Sequence, residues 1–145
     1  MRRRSPRTGS SSTPAIVTTI TERPGVCGET VRKGKDVILE IEIQGALEIK
    51  RKYPTALLLF VMPPSAAELR KRLQGRGTES PEVIAKRLKR AGEEAEGIEQ
   101  YDFLVINDKL EECVQQMHEL IRAAHYAPLR NEEMIQNMRK ELREL

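Results

Sequence analysis

Tryptophan is absent from this 145-residue chain, and Tyr and Phe are few. A basic segment without interleaved aromatics gives nucleic-acid bases nothing to stack on, which argues against single-strand recognition. The two cysteines, Cys27 and Cys113, stand alone in unrelated contexts. They form neither a disulfide framework nor a metal-ligand spacing, so reduced, incidental thiols are expected. His118 and His125 lack cysteines or acids at metal spacing, and a surface role is expected for both. No apolar run reaches membrane-spanning length; the longest, Ala56 to Met62, is strand-sized. The basic start, Met1 to Arg7, is not followed by the apolar segment of a secretory signal. A phosphate-binding loop needs two Gly with four residues between them, then Lys and Ser or Thr. The closest approach, Gly28 to Gly34-Lys35, has five intervening residues, continues with Asp36 and leads into a strand instead of following one. We reject it.

What is present is a length sufficient for one domain, abundant charge of both signs and a net charge of +3. This describes a soluble, helix-rich, cytoplasmic protein with no membrane or nucleic-acid partner. The composition changes near residue 30. Residues 1–24 contain no Lys, Leu, Asp or Phe and are crowded with Ser, Thr, Arg and Pro. So few large apolar groups do not offset ordering entropy, and residues 1–29 are expected to be disordered.

From residue 30 to 145, short apolar runs alternate with amphipathic stretches, the pattern of βαβ units and an α/β fold. Strands are expected at Asp36 to Ile41, Ala56 to Met62 and Phe103 to Ile106, three parallel strands with flanking helices. Helices are expected at Gln44 to Lys52, from Ser65 to Leu73, after Ser80-Pro81, from Leu110 to Ala124 and from about Leu129 to Leu145. Ser65 with Glu68 reads as a capping box, and Pro81 suits the first position after a Ser80 cap. Leu39, Leu58, Phe60 and Val105, central in their strands, are expected core residues.

Ligands of open α/β folds bind beyond the carboxyl ends of the strands. Glu40 and Glu42 stand at the first such end, alternate along the strand and so should share a face. Without further context, they read better as solvated acids at a strand end. Arg72 and Arg76 lie one helical turn apart before a Gly75/Gly77 hinge, and Arg87 lies on the next helix. Arg forks suit phosphate oxygens, and such residues belong on a mobile lid. Asn107 ends the last strand with an amide that can both donate to and accept from a purine edge. Asp108 reads as the cap of the following helix.

Together, Gly34-Lys-Asp-Val-Ile-Leu-Glu-Ile-Glu-Ile-Gln-Gly-Ala46, Arg72-Leu-Gln-Gly-Arg-Gly-Thr78 and Phe103-Leu-Val-Ile-Asn-Asp108 resemble the guanylate kinase family over about residues 30–145. The resemblance implies the carboxyl-terminal part of a P-loop nucleoside-monophosphate-kinase fold, without the P-loop and most of the GMP-binding lobe. It implies ATP:GMP phosphoryl transfer with Mg²⁺ accompanying ATP. Arg72 and Arg87 would be catalytic, Arg72, Arg76 and Asn107 would contact ATP, and Glu40 and Glu42 would contact GMP. No protein-held metal is implied. A chain of this extent is expected to be inactive, and the strands flanking the missing one are expected to expose edges that invite self-association. The alternative is a non-catalytic guanylate-kinase-like interaction module. Residues 1–29 remain open between a natural tail and an out-of-frame reading of a family gene. In displaced codons, the stretch Thr18 to Pro24 permits the family-like phrase Asn-Tyr-Tyr-Gly-Thr-Pro.

Overall fold

A computed structural model describes residues 15–20, 36–75 and 77–145, with the side chains of 15–20 left undescribed. Its centre is a four-stranded sheet of order β2-β1-β3-β4. The strands are β1 (Ala15–Ile20), β2 (Val37–Glu40), β3 (Leu57–Met62) and β4 (Phe103–Ile106). β3 is wholly apolar because both its faces are covered. Leu58 and Phe60 pack with Ala46, Ala56 and Tyr101 on one side. Leu57, Leu59 and Val61 pack with Val105 and Cys113 on the other. Phe60 meets Tyr101 edge-on, with ring centroids 5.1 Å apart, a geometry favoured by aromatic quadrupoles.

Three neighbouring parallel strands are not found. Among the described residues only β3 and β4 pair in parallel; β1 runs antiparallel to both β2 and β3. Because β2 and β3 both oppose β1, they share a direction, as a βαβ crossover requires, but no ladder joins them. The strand between them comes from the segment read as disordered. Ala15-Ile-Val-Thr-Thr-Ile20 is almost entirely β-branched and suits a pleated sheet. The Ser, Arg and Pro around it masked that run. The expected open gap beside β2 and β3 is therefore filled, and the outer edges of the sheet are β2 and β4. The other residues of 1–29 lie outside the described residues.

The helices are α1 (Ile43–Lys52), α2 (Ala66–Gly75), α3 (Pro81–Ala95), α4 (Leu110–Ala124) and α5 (Glu132–Glu144), of which α1 and α4 pack on the two faces of the sheet. Ser65 Oγ accepts from the Glu68 amide at 3.1 Å and Ser80 Oγ from Val83 at 3.4 Å, so both serines cap their helices, while the Glu68 carboxylate accepts from Arg72. Asp108 does not cap α4. That position is Lys109, without a side-chain cap bond, while Glu111 and Glu112 place negative charge in the first turn. Of the expected core residues, Leu58, Phe60 and Val105 are fully buried. Leu39, on edge strand β2, is only partly buried. Helix α5 buries none of its residues.

A polar clamp fastens the amino ends of the strands. Asp102 accepts from the Leu58 amide at 2.8 Å and from Lys50 Nζ at 2.9 Å, while Lys50 also donates to the Ala56 carbonyl at 2.6 Å. Arg130 donates to Thr55 O from Nε and Nη2, at 3.0 and 2.7 Å. Exposed His125 pairs with Asp36 at 2.9 Å. With this end fixed, the opposite end is left for chemistry.

Candidate functional site

The strand registers bring three carboxyl ends to one edge. Glu40 is opposite Val17, Val61 is opposite Ala15, and Val61 and Met62 are level with Val105 and Ile106. The Asn107 amide donates to Met62 O at 2.7 Å, prolonging the β3–β4 ladder by one bond. β1 contributes its amino end to this edge.

Arg72 and Asn107, paired in the sequence reading only by resemblance, are in contact. From α2, Arg72 sends Nε to Glu68 Oε1 at 2.9 Å and Nη1 to the Asn107 carbonyl at 2.7 Å. Its Nη2 lies 3.5 Å from the Asp108 carbonyl. The planar fork thus ties the helix after β3 to the end of β4, and leaves the Asn107 main chain positioned by a cation.

Glu40 and Glu42 do not share a strand face, because β2 ends at Glu40 and Glu42 is already the N-cap of α1. No side-chain cap bond engages Glu42; instead its carboxylate meets the guanidinium of Arg90 on α3. Arg90 Nε also reaches Glu94 Oε1 at 3.2 Å, and Glu94 is buried. The hydrogen bond and charge of Glu42, then Glu94, hold the Arg90 pKa above its ordinary value. Beside this group, burial first and the Glu94 charge second push the Tyr101 phenol well up.

Arg87 is not gathered with these residues. It pairs with Glu79 at 2.6 Å, folding back over the loop before its own helix. That loop turns at Gly77, whose φ of 62° is accessible chiefly to glycine. Arg76 lies outside the described residues. Sequence reasoning passed over Glu79, Arg90 and Glu94, and read Glu68 only as part of a helix cap. Two of these contacts were within its reach, since Glu68/Arg72 and Arg90/Glu94 have i,i+4 spacing. The Arg90–Glu42 pair joins distant segments and left no local signal.

Among the described residues, no group of three or more His, Cys, Asp or Glu side chains could hold a metal ion. Glu42 is moreover occupied by Arg90. These residues do not fit a protein-held Mg²⁺. Nor, among the described residues, is any helix long and apolar enough to cross a membrane.

The sequence model of the guanylate kinase family matches residues 22–124. The chain belongs to the guanylate kinase family. The match covers residues 22–29 of the segment set apart by composition as well as the strand-end motifs. The guanylate kinase of Halalkalibacterium halodurans is 50% identical over 97 residues, which are 67% of this chain and 48% of that protein. The guanylate kinase of Lactococcus lactis subsp. lactis is 50% identical over 98 residues, 68% of this chain and 48% of the relative. That of Streptococcus agalactiae serotype III is 49% identical over 98 residues, with 68% and 47% covered. The chain thus spans about half the length of the curated relatives it matches.

Proposed function

We propose that this chain carries the ATP-side part of a guanylate kinase site, with little or no phosphoryl transfer on its own. The observation that carries the reading is the Arg72–Asn107 contact at the edge where β2, β3 and β4 end. In it, Asn107 offers an amide to a purine edge, and Arg72, already fixed on α2, sets a cation beside it. Charge spread over the equatorial phosphate oxygens would be stabilised by such pre-oriented donors. Arg76 and Arg87 would approach from the lid beyond Gly77, Arg87 after exchanging Glu79 for phosphate. Glu40 and Glu42 would meet the guanine of GMP, Glu42 only after parting from Arg90. Mg²⁺ would arrive with ATP.

The proposed lack of turnover is supported by the direction of β1. A phosphate cradle is made where a strand runs through a glycine-rich turn into a helix N-terminus. β1 brings its amino end to this position, so it cannot feed such a turn there. The second reading, a non-catalytic interaction module, is favoured by one observation: Glu42 and Arg87 are both paired within the chain.

Titration of ¹⁵N-labelled chain with ATP separates the two. Binding should shift the amides of Arg72, Asn107 and Asp108, and Asn107→Ala should weaken it. Absence of any response at these amides at saturating ATP would refute the enzymatic reading and leave the interaction module.

A further inference from the structure

Between α2, α3 and the carboxyl end of β3 lies a cavity of about 510 Å³, within the ~300–1,000 Å³ range of small-molecule sites. Its walls include Phe60, Met62, Leu69, Leu88 and Ile98. No Asp or Glu lines it, and Ser65 and Arg70 alone bring polar side chains to it. Ser65 Oγ is already occupied by the Glu68 amide. Arg70 is exposed, and no described carboxylate is within ion-pair distance of it. Arg72, Glu42 and Asn107 are not among the lining residues, although Met62 belongs both to this lining and to the edge where the strands end.

The lining offers water few hydrogen-bond partners, so an apolar ligand body would displace poorly held water. We propose that it binds a small molecule with an aromatic or aliphatic body and one anionic group, such as an aryl carboxylate. The body fills the space between Phe60, Leu69 and Leu88, and the carboxylate faces Arg70. Charge complementarity selects the anion: the one charged side chain on the lining is a cation. Leu69 and Leu88 also belong to the α2–α3 contact, so the occupant lies between the helix bearing Arg72 and the helix bearing Arg87. Its presence would bias the angle between them.

The test uses the full chain and two probes, 2-naphthoate and its neutral counterpart 2-naphthalenemethanol, followed by amide shifts. Naphthoate should move the amides of Leu69, Leu88 and Gly92. Arg70→Gln should weaken naphthoate about fivefold, the weight of one solvent-facing ion pair, and leave the neutral probe unchanged. A Cβ on Gly92 meets nothing within 4 Å, so Gly92→Leu enters open space without touching backbone. Gly92→Leu, and Ala95→Leu as a second filling variant, should abolish binding of both probes while keeping the melting temperature of the parent. The proposal is overturned by unmoved amides at millimolar probe, by equal sensitivity of the two probes to Arg70→Gln, or by undiminished binding in both folded filling variants. None of these outcomes depends on nucleotide binding, so the two readings fail separately.

Discussion

Replacing Arg72 with alanine should loosen the helix after β3 from the end of β4, even without nucleotide. A hydrogen bond from a charged donor contributes about 1.5–3 kcal/mol. The 2.7 Å bond to Asn107 O is the one strong contact of this kind, since the 3.5 Å approach to Asp108 O lies beyond good geometry. About a third of the side chain is exposed, so water can partly replace the lost donor and the low end applies. The Glu68 pair, also partly exposed and one helical turn away, adds only about 0.3–0.5 kcal/mol. Arg72→Ala should therefore cost about 2 kcal/mol, lowering Tm by roughly 5–8 °C for a chain of this size. Arg72→Lys cannot reproduce the fork and should retain about half of that stability. Glu68→Gln should cost no more than about 0.5 kcal/mol. Urea unfolding followed by circular dichroism measures all three. The reasoning fails if Arg72→Ala is within about 0.5 kcal/mol of the parent, or if Glu68→Gln is as damaging.

Thr18 pairs with Leu39 on one side and Leu58 on the other, so Thr18→Pro removes an amide from the middle of the sheet and should destabilise by about 2–3 kcal/mol or more. Denaturant unfolding checks this, and an unchanged midpoint would mean that β1 does not bridge β2 and β3 in solution. Burial pushes the Cys113 thiol above its ordinary pKa, so above the ordinary thiol range the unfolded chain loses a proton that the folded chain keeps. Stability is then fully present below that range and falls as pH rises towards the folded value; Cys113→Ala should flatten this alkaline decline in a pH series of unfolding curves.

The parts of the fold fixed by local chemistry were readable in the sequence. The apolar run Ala56 to Met62 was legible as a strand, and the Ser65 and Ser80 caps placed two helix starts. The convergence of Glu40, Met62 and Asn107 on one edge followed from the crossover rule, which holds although the sheet is mixed. β1 was not readable because its β-branched run sits in a segment whose average composition argues for disorder. At the site, Arg72 and Asn107 are in contact, a juxtaposition of α2 with the end of β4 that no local pattern announces. The internal partners of Glu42 and Arg87 were hidden: the Glu42–Arg90 pair joins segments far apart in the chain and leaves no periodicity, and Arg87 reaches Glu79 through a loop outside helical i,i+4 spacing.

The most direct measurement is phosphoryl transfer itself, in a coupled assay of ADP formation with ATP, GMP and Mg²⁺ and the purified 145-residue chain. Positioning and charge stabilisation carry almost all of this chemistry, and β1 brings its amino end, not the end that feeds a strand-to-helix turn, to the edge where β2, β3 and β4 finish. ADP formation should stay at the no-protein background, including at high chain concentration. Turnover at the rates usual for kinases, roughly 1–100 s⁻¹, would contradict the account.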